Sequence, residues 1–261
     1  MSDLHIAVEG PVATLTVDRP AKRNAMTRAM WAAVPGLLAQ VVDDVRVLLV
    51  TGAGPSFCAG ADIGELLGGD EPTDPMAGLR ADNLAAQAAI RAFPYPTLAV
   101  VRGHCIGGGV ELAASCDLRF ADDTAVFGVT PARIGVVYPP APTKALVDLV
   151  GPATTKYLLF SGELLDAAAA LRVGLVDEVL PVDGLADRVA AFAAVLAGRS
   201  ALTQRATKEV VAELTTGGDA EQVADRWFGE TIASGELAEG VAAFAERRPP
   251  AFPWDGGISA G

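Results

Sequence analysis

Histidine and cysteine are scarce in this chain. Only His5 and His104, and Cys58, Cys105 and Cys116, occur among 261 residues. No Cys/His spacing suits a metal site, and an odd number of cysteines at these spacings builds no disulfide scaffold. A reduced, cytoplasmic protein is the expectation. No apolar run is long enough to cross a bilayer. The segment MSDLHIAVEG lacks the basic and apolar stretches of a secretory signal. Basic residues are the minority, 20 against 32 acidic ones, giving a formal charge of −12. That excludes a general nucleic-acid surface but not a local basic patch for an anionic ligand. There is no Gly-x-Ser-x-Gly elbow of a serine hydrolase. Gly52-Ala53-Gly54 follows an apolar run and hints at a nicotinamide-dependent oxidoreductase. A dinucleotide loop would need glycine where Phe57 stands, and the Gly-Lys-Ser/Thr of a P-loop is missing as well.

What the chain does have is organised around Arg102 to Asp117, RGHCIGGGVELAASCD. Leu98 to Val101 is a short apolar strand. Gly107, Gly108 and Gly109 then allow a sharp turn and a close backbone approach. From Val110 the composition switches to helix formers. The glycines therefore sit at a helix start, where free N–H groups and the helix dipole favour developing negative charge. Glu111 lies about one turn beyond Gly108 and faces the same space. A backbone donor and a carboxylate beside one cavity are the parts needed to hold an oxyanion and move a proton. The same features also occur in elbows that serve packing alone.

Taken in order, His5–Val8 and Val12–Val17 alternate around Glu9-Gly10-Pro11 as a hairpin. Asp18 to Ala25 is a polar loop. Thr27 caps a helix to about Val42, with a kink or early break at Pro35. Val45 to Thr51 reads as a strand buried on both faces. In Gly52 to Asp62, Asp62 caps a short helix at Ile63–Leu67, and a second N–H donor near Ala61 faces the elbow. Gly68–Gly78 reads as a mobile loop covering a pocket. A helix at Leu79–Ala92, strands at Asp117–Ala121 and Ala125–Gly128, and a turn at Thr130–Gly135 follow. Helices are expected at Thr143–Val150, Ala153–Phe160 and from Leu164-Leu165-Asp166-Ala167 onward, with a short strand at Val179-Leu180-Pro181. Beyond Leu185 the chain reads as helix, with turns near Gly198-Arg199-Ser200 and Gly217-Gly218. The fold class is α/β.

The stretches DRPAKRNAMT (18–27), VRVLLVTGAGPSFCAGADI (45–63) and GHCIGGGVELAASCDLRFADDTAVFG (103–128) resemble the crotonase, or enoyl-CoA hydratase/isomerase, superfamily. So do SGELLDAAAALRVGLVDEVLP (161–181) and EGVAAFAERRPPAF (239–252). The resemblance implies a spiral of ββα units over residues 1–195 and a C-terminal helical oligomerisation region over 196–261, assembled as a homotrimer or dimer of trimers. It implies an acyl-CoA substrate, with coenzyme A entering as part of that substrate and no other cofactor. The thioester oxygen would be held by the Ala61 and Gly108 N–H groups. Lys22, Arg23, Ala59, Asp62 and Ile63 would line the CoA moiety, and Phe244 would reach a CoA site across a subunit boundary. Hydratases of the family use two glutamates. Glu111 matches the first, and Pro131 occupies the second position, which puts the two-acid mechanism in question. TPARIGVVY instead is similar to a segment of methylmalonyl-CoA decarboxylase-like members, in which Tyr138 would approach the acyl group. Decarboxylation also makes a thioester enolate and needs no base for an α-proton. A third possibility is a member that binds CoA thioesters without turnover.

Overall fold

The computed structural model describes residues 3–66, 74 and 76–256, and of Ile63 the backbone alone. The alternation around Gly10 closes as the expected hairpin. β1 (Leu4–Glu9) and β2 (Val12–Val17) pair antiparallel, with Leu4 opposite Val17. A single 3-10 turn at Pro20–Lys22 follows, then α1 (Arg28–Ala39). The Thr27 hydroxyl accepts from the Met30 N–H at 3.2 Å, the expected cap. Pro35 neither breaks nor ends α1, because Trp31, Val34 and Leu38 are buried and hold the helix through it. The helix stops at Ala39, short of Val42.

β3 (Val47–Gly52) leads to α2 (Ile63–Leu66), where Asp62 accepts from the Gly64 N–H at 3.0 Å, and then to α3 (Ala77–Arg91). Of the Gly68–Gly78 segment, residues 68–73 and 75 lie outside the described residues, and 77–78 open α3. Next come β4 (Thr97–Val101), β5 (His104–Ile106) and α4 (Gly108–Ala114). After them run β6 (Leu118–Asp122), β7 (Val126–Gly128), α5 (Pro131–Ile134) and α6 (Pro140–Ser161), the last broken at Gly151 into the two helices expected. β8 (Leu164–Asp166), α7 (Ala167–Arg172) and β9 (Glu178–Leu180) complete the mixed part. The chain ends in four helices, α8 (Leu185–Ala197), α9 (Ala201–Thr216), α10 (Ala220–Ala233) and α11 (Glu236–Glu246).

The strands lie in two sheets, ordered β1-β2-β3-β4-β6-β9 and β5-β7-β8. From β2 to β9 the large sheet is parallel. Successive units place one strand in each sheet. β4 pairs with β3 while β5 bridges to the segment after β3, through Cys58 and Cys105. β6 then pairs with β4 while β7 pairs with β5. Each unit thus advances both sheets by one strand and returns through a helix, which is the ββα spiral. The main core, including Trp31, Phe57, Leu112 and Phe127, fills the interior, and α8 covers Leu98, Val100 and Phe120 with Leu185 and Val189.

Three local expectations are corrected. Leu98–Val101 is a strand as expected, within β4, but a further strand, β5 in the other sheet, stands between it and the glycine elbow; the chain changes sheets at Arg102-Gly103. Thr130–Gly135 is not a bare turn: Pro131 occupies the first turn of α5, and Gly135 ends it in the left-handed region at φ 71°. Leu164–Asp166 does not open a helix. It pairs antiparallel with β7, Leu164 filling the space that Gly128 leaves without a side chain, and α7 starts at Ala167 with Asp166 as its cap.

The polar loop before α1 is held by Asn24, which is fully buried. Its Oδ1 accepts from the Arg19 N–H at 2.8 Å, and its Nδ2 donates to the carbonyls of Ala53 at 2.9 Å and Ser56 at 2.6 Å. Replacing Asn24 by Ala strands these backbone groups. Asn24→Ala is expected to cost about 2–4 kcal/mol, read as a lower urea midpoint at unchanged m-value. An unchanged midpoint would show that Asn24 is not what holds the loop.

Candidate active site

Five segments meet around a cavity of about 130 Å³. It is lined by Trp31 of α1, Ala61, residues of α3 including Arg80 and Asn83, Gly108 and Glu111 of α4, and Val136 to Pro139. The polar loop before α1 sets the first wall. The Met26 N–H donates to the Gly60 carbonyl at 2.8 Å, and the Asp62 N–H donates to the Met26 carbonyl at 2.9 Å. The Ala59 N–H donates to the Arg23 carbonyl at 2.9 Å. This lacing uses the groups on either side of Ala61. By strand alternation the Ala61 N–H itself points the other way, and it has no acceptor among the described residues.

The elbow sets the second wall. Gly107 has φ 55° and ψ −115°, a combination that disfavours any side chain. A Cβ on Gly109 would lie 2.1 Å from the Cys58 carbonyl oxygen, so only glycine lets α4 approach that loop. At Gly108 the position of a Cβ lies 3.5 Å from the Ala61 nitrogen and 3.1 Å from Trp31 Cζ2. The Gly108 N–H, first in α4, also lacks an acceptor among the described residues. Two free N–H groups therefore lie side by side at the cavity, one of them at a helix start.

Glu111 is 8% exposed and is the only carboxylate among the described residues that line the cavity. Burial raises its pKa from an ordinary value near 4.5, and the neighbouring Asn83 and Tyr138, which favour the charged form, oppose that rise. The Tyr138 hydroxyl is pushed well above its usual range by burial and by the neighbouring Glu111 charge. It lies close enough to feel that carboxylate but makes no hydrogen bond among the described residues. The Trp31 Nε1 is buried without a partner as well. Cys58, next to the free Ala61 N–H, is pushed up to about 12 by burial, so its thiol stays protonated and is no nucleophile.

The structure brings together Ala61, Gly108, Glu111 and Tyr138. Ala59 belongs to the laced loop. Lys22 and Arg23 are exposed beside it, and Lys22 is close enough for its charge to act on Asp62. The Asp62 carboxylate is engaged by the Gly64 N–H and by Arg19 at 3.0 Å, which together hold its pKa low. The Ile63 side chain lies outside the described residues. Phe244 is 87% exposed on α11 and lines a different groove, with Phe228, Ile232 and Phe252, so within this chain it is not part of the cavity. His104 sits 3.4 Å from Ser56 Oγ and does not line the cavity. Pro131 does not line it either. Among the described residues no group of His, Cys, Asp and Glu is placed to hold a metal, and no helix is long and apolar enough to cross a membrane.

Sequence reasoning missed Trp31 and Asn83 in the cavity wall. Asn83 had a signal. With Gln87 it falls on the stripe of α3 that also buries Ala86 and Ile90. An amide at a core position is a marker of a functional or networked site.

Comparison with known proteins identifies the family and the fold. The chain belongs to the enoyl-CoA hydratase/isomerase family, whose model matches residues 7–255. It is 34% identical to "Probable enoyl-CoA hydratase echA8" of Mycobacterium tuberculosis, over 92% of this chain and 94% of that protein. It is 30% identical to the 2,3-dehydroadipyl-CoA hydratase of Escherichia coli, over 97% of this chain and 99% of that one. The crystal structure of an enoyl-CoA hydratase/isomerase family protein from Hyphomonas neptunium superposes with a TM-score of 0.91 at 35% identity, covering 96% of this chain and 97% of that one.

The burial of Glu111 has a thermodynamic consequence. Its pKa is higher in the folded than in the unfolded chain. Folding therefore disfavours its charged form, and stability is lost as pH rises above the unfolded carboxylate's pKa. Glu111→Gln removes that cost. The variant is expected to melt above the parent protein at pH 8, and the gap should close as pH falls towards 4. A variant that melts lower at both pH values would contradict this.

Proposed function

We propose that this chain acts on an acyl-CoA thioester and stabilises its enolate between the Ala61 and Gly108 N–H groups. The observation that carries this reading is the pair of unpartnered N–H groups opening on the same cavity as a buried glutamate. An enolate oxygen carries charge that the thioester carbonyl lacks. Fixed donors therefore favour the transition state over bound substrate, and removing one such donor typically costs 10²–10³ in kcat. Glu111 then moves the proton. In hydration of an enoyl thioester it would activate water for attack at the β-carbon, the electrons moving to the thioester oxygen before the α-carbon is protonated. A raised pKa suits that task, because it brings the carboxylate nearer to working pH.

The remaining assignments follow from this reading. Lys22 and Arg23 would meet the phosphates of the CoA moiety, which runs past Ala59 to Ile63. Phe244, exposed on α11, would contact CoA bound to a neighbouring subunit of a homotrimer or dimer of trimers. Coenzyme A would be carried by the substrate, with no further cofactor, in the cytoplasm.

One observation favours a second reading. Glu111 is the sole carboxylate among the described lining residues, and across from it stands the unpartnered Tyr138 hydroxyl. A decarboxylase acting on a methylmalonyl-type thioester would need no second acid. The C–C bond to the carboxylate breaks, carbon dioxide leaves, and its electron pair enters the enolate held by Ala61 and Gly108. A donor such as Tyr138 would then orient the leaving carboxylate.

Pure protein is expected to hydrate crotonyl-CoA, followed as loss of the conjugated thioester absorbance, and Glu111→Gln should lower kcat by about 10²–10⁴. Crotonyl-CoA that binds but persists, with methylmalonyl-CoA consumed, would select the decarboxylase. Failure to bind either thioester would overturn the proposal.

A further inference from the structure

Asn83, Gln87 and Arg91 stand one helical turn apart on one face of α3. Asn83 is 8% exposed and Gln87 not at all. Burying two amides is costly unless their hydrogen bonds are made. The Gln87 Nε2 donates to Asn83 Oδ1 at 2.6 Å and reaches Glu111 Oε2 at 3.4 Å. The Gln87 Oε1 accepts from the Arg91 Nη1 at 3.4 Å. The same Nη1 donates to the Ser115 hydroxyl at 3.1 Å, and Ser115 donates in turn to the Glu111 carbonyl at 2.8 Å.

These bonds have a fixed direction. A guanidinium offers donors only, so Gln87 must turn its oxygen to Arg91 and its NH₂ inward. Asn83 must then accept from Gln87 with its oxygen, which leaves its own NH₂ to favour the charged Glu111 carboxyl. Donors therefore point one way along the row, from a cation at the outer end of α3 to the carboxylate in the cavity.

We propose that Gln87 is a positioning residue which, with Asn83 and Arg91, fixes the Glu111 carboxylate against the cavity and holds it in its charged, proton-accepting form. This rests on the reading of Glu111 as the proton carrier. Two amide donors stabilise the carboxylate over the neutral acid, and so oppose the desolvation that burial imposes. The other titratable groups around Glu111 are Tyr138 across the cavity, Cys58 on the laced loop, and Arg80 and Arg91 on α3. Both amides come from α3, whereas Tyr138 comes from the stretch after α5.

The test compares the parent protein with Gln87→Leu, Gln87→Glu, Arg91→Met and Arg91→Lys. The carboxyl carbon of Glu111 is followed by ¹³C NMR in glutamate-labelled protein and identified by its absence in Glu111→Gln. The second readout is the pH profile of kcat/KM on whichever acyl-CoA turns over. Gln87→Leu should raise the midpoint of the Glu111 titration, shift the acidic limb of the profile the same way, and lower kcat/KM at pH 6 about tenfold with KM little changed. Gln87→Glu, which keeps the size of the side chain should leucine not fold, should also raise the midpoint. Arg91→Met should do so by less, and Arg91→Lys should restore most of that loss. A Glu111 titration that superimposes on the parent's in both Gln87 variants overturns the proposal. A shifted titration without turnover keeps the positioning role and removes the enzymatic reading. Turnover with an unshifted titration does the reverse.

Discussion

Two backbone N–H groups at Ala61 and Gly108 face one cavity without acceptors, and the folding of two sheets is organised to keep them there. An N–H pair is easily satisfied by a neighbouring strand or a preceding turn. Here each route is closed. The groups on either side of Ala61 are engaged in lacing residues 59–62 to residues 23–26, which turns the Ala61 N–H away from that strand. The Gly108 N–H lies at the start of α4, before the first intrahelical bond. The close approach of the two depends on Gly109, because any side chain there would strike the Cys58 carbonyl. The spiral supplies the rest. The Cys58 segment and β5 are neighbours in the small layer only because β3 and β4 are neighbours in the large one.

Around that pair the electrostatics are uneven by construction. A carboxylate buried among Leu112, Trp31 and Tyr138 would by itself prefer to be neutral, and a neutral acid cannot accept a proton. Asn83 of α3 and the Tyr138 hydroxyl pull the other way. The result is a carboxyl whose charged form burial disfavours and its neighbours favour, at a cost in stability that a glutamine in the same place would avoid. Such local cost at a working site is common in enzymes. The cysteines show the opposite outcome. Cys58 and Cys116 are pushed to about 12 by burial, with no donor strong enough to reverse it, and they behave as small apolar fillers.

How much of this is legible in the sequence depends on the range of the interaction. The glycine elbow, Thr27, Asp62 and the hairpin at Gly10 are local. Each is encoded by a residue whose own backbone or side chain does the work, and each is where its pattern puts it. Leu164-Leu165-Asp166 is not local. Its composition suits a helix, but β7 offers an open edge and Gly128 leaves room for Leu164, so pairing wins. The change of sheet at Arg102-Gly103 is invisible for the same reason, since nothing in a short apolar run says which neighbour it will meet. Within the site, Glu111 and the two donors are readable from spacing. Trp31 and Asn83 are not, because they arrive from helices distant in sequence and enter through packing.

The segment after β7 carries the strongest departure from a two-acid site. Pro131 has no N–H and a fixed φ, which suits the first position of a helix and nothing that must exchange a proton. It starts α5, and Gly135, left-handed at φ 71°, stops that helix after a single turn. The chain then runs outward again as Val136 to Pro139, and this stretch forms the cavity wall. The effect reaches beyond the loss of one carboxyl. The wall opposite Glu111 becomes apolar apart from one hydroxyl, so a charge that develops there meets Tyr138 or nothing. On the proposed reading, proton traffic in such a cavity passes through Glu111, and the donors around Glu111 then weigh more on the reaction than they would beside a second acid.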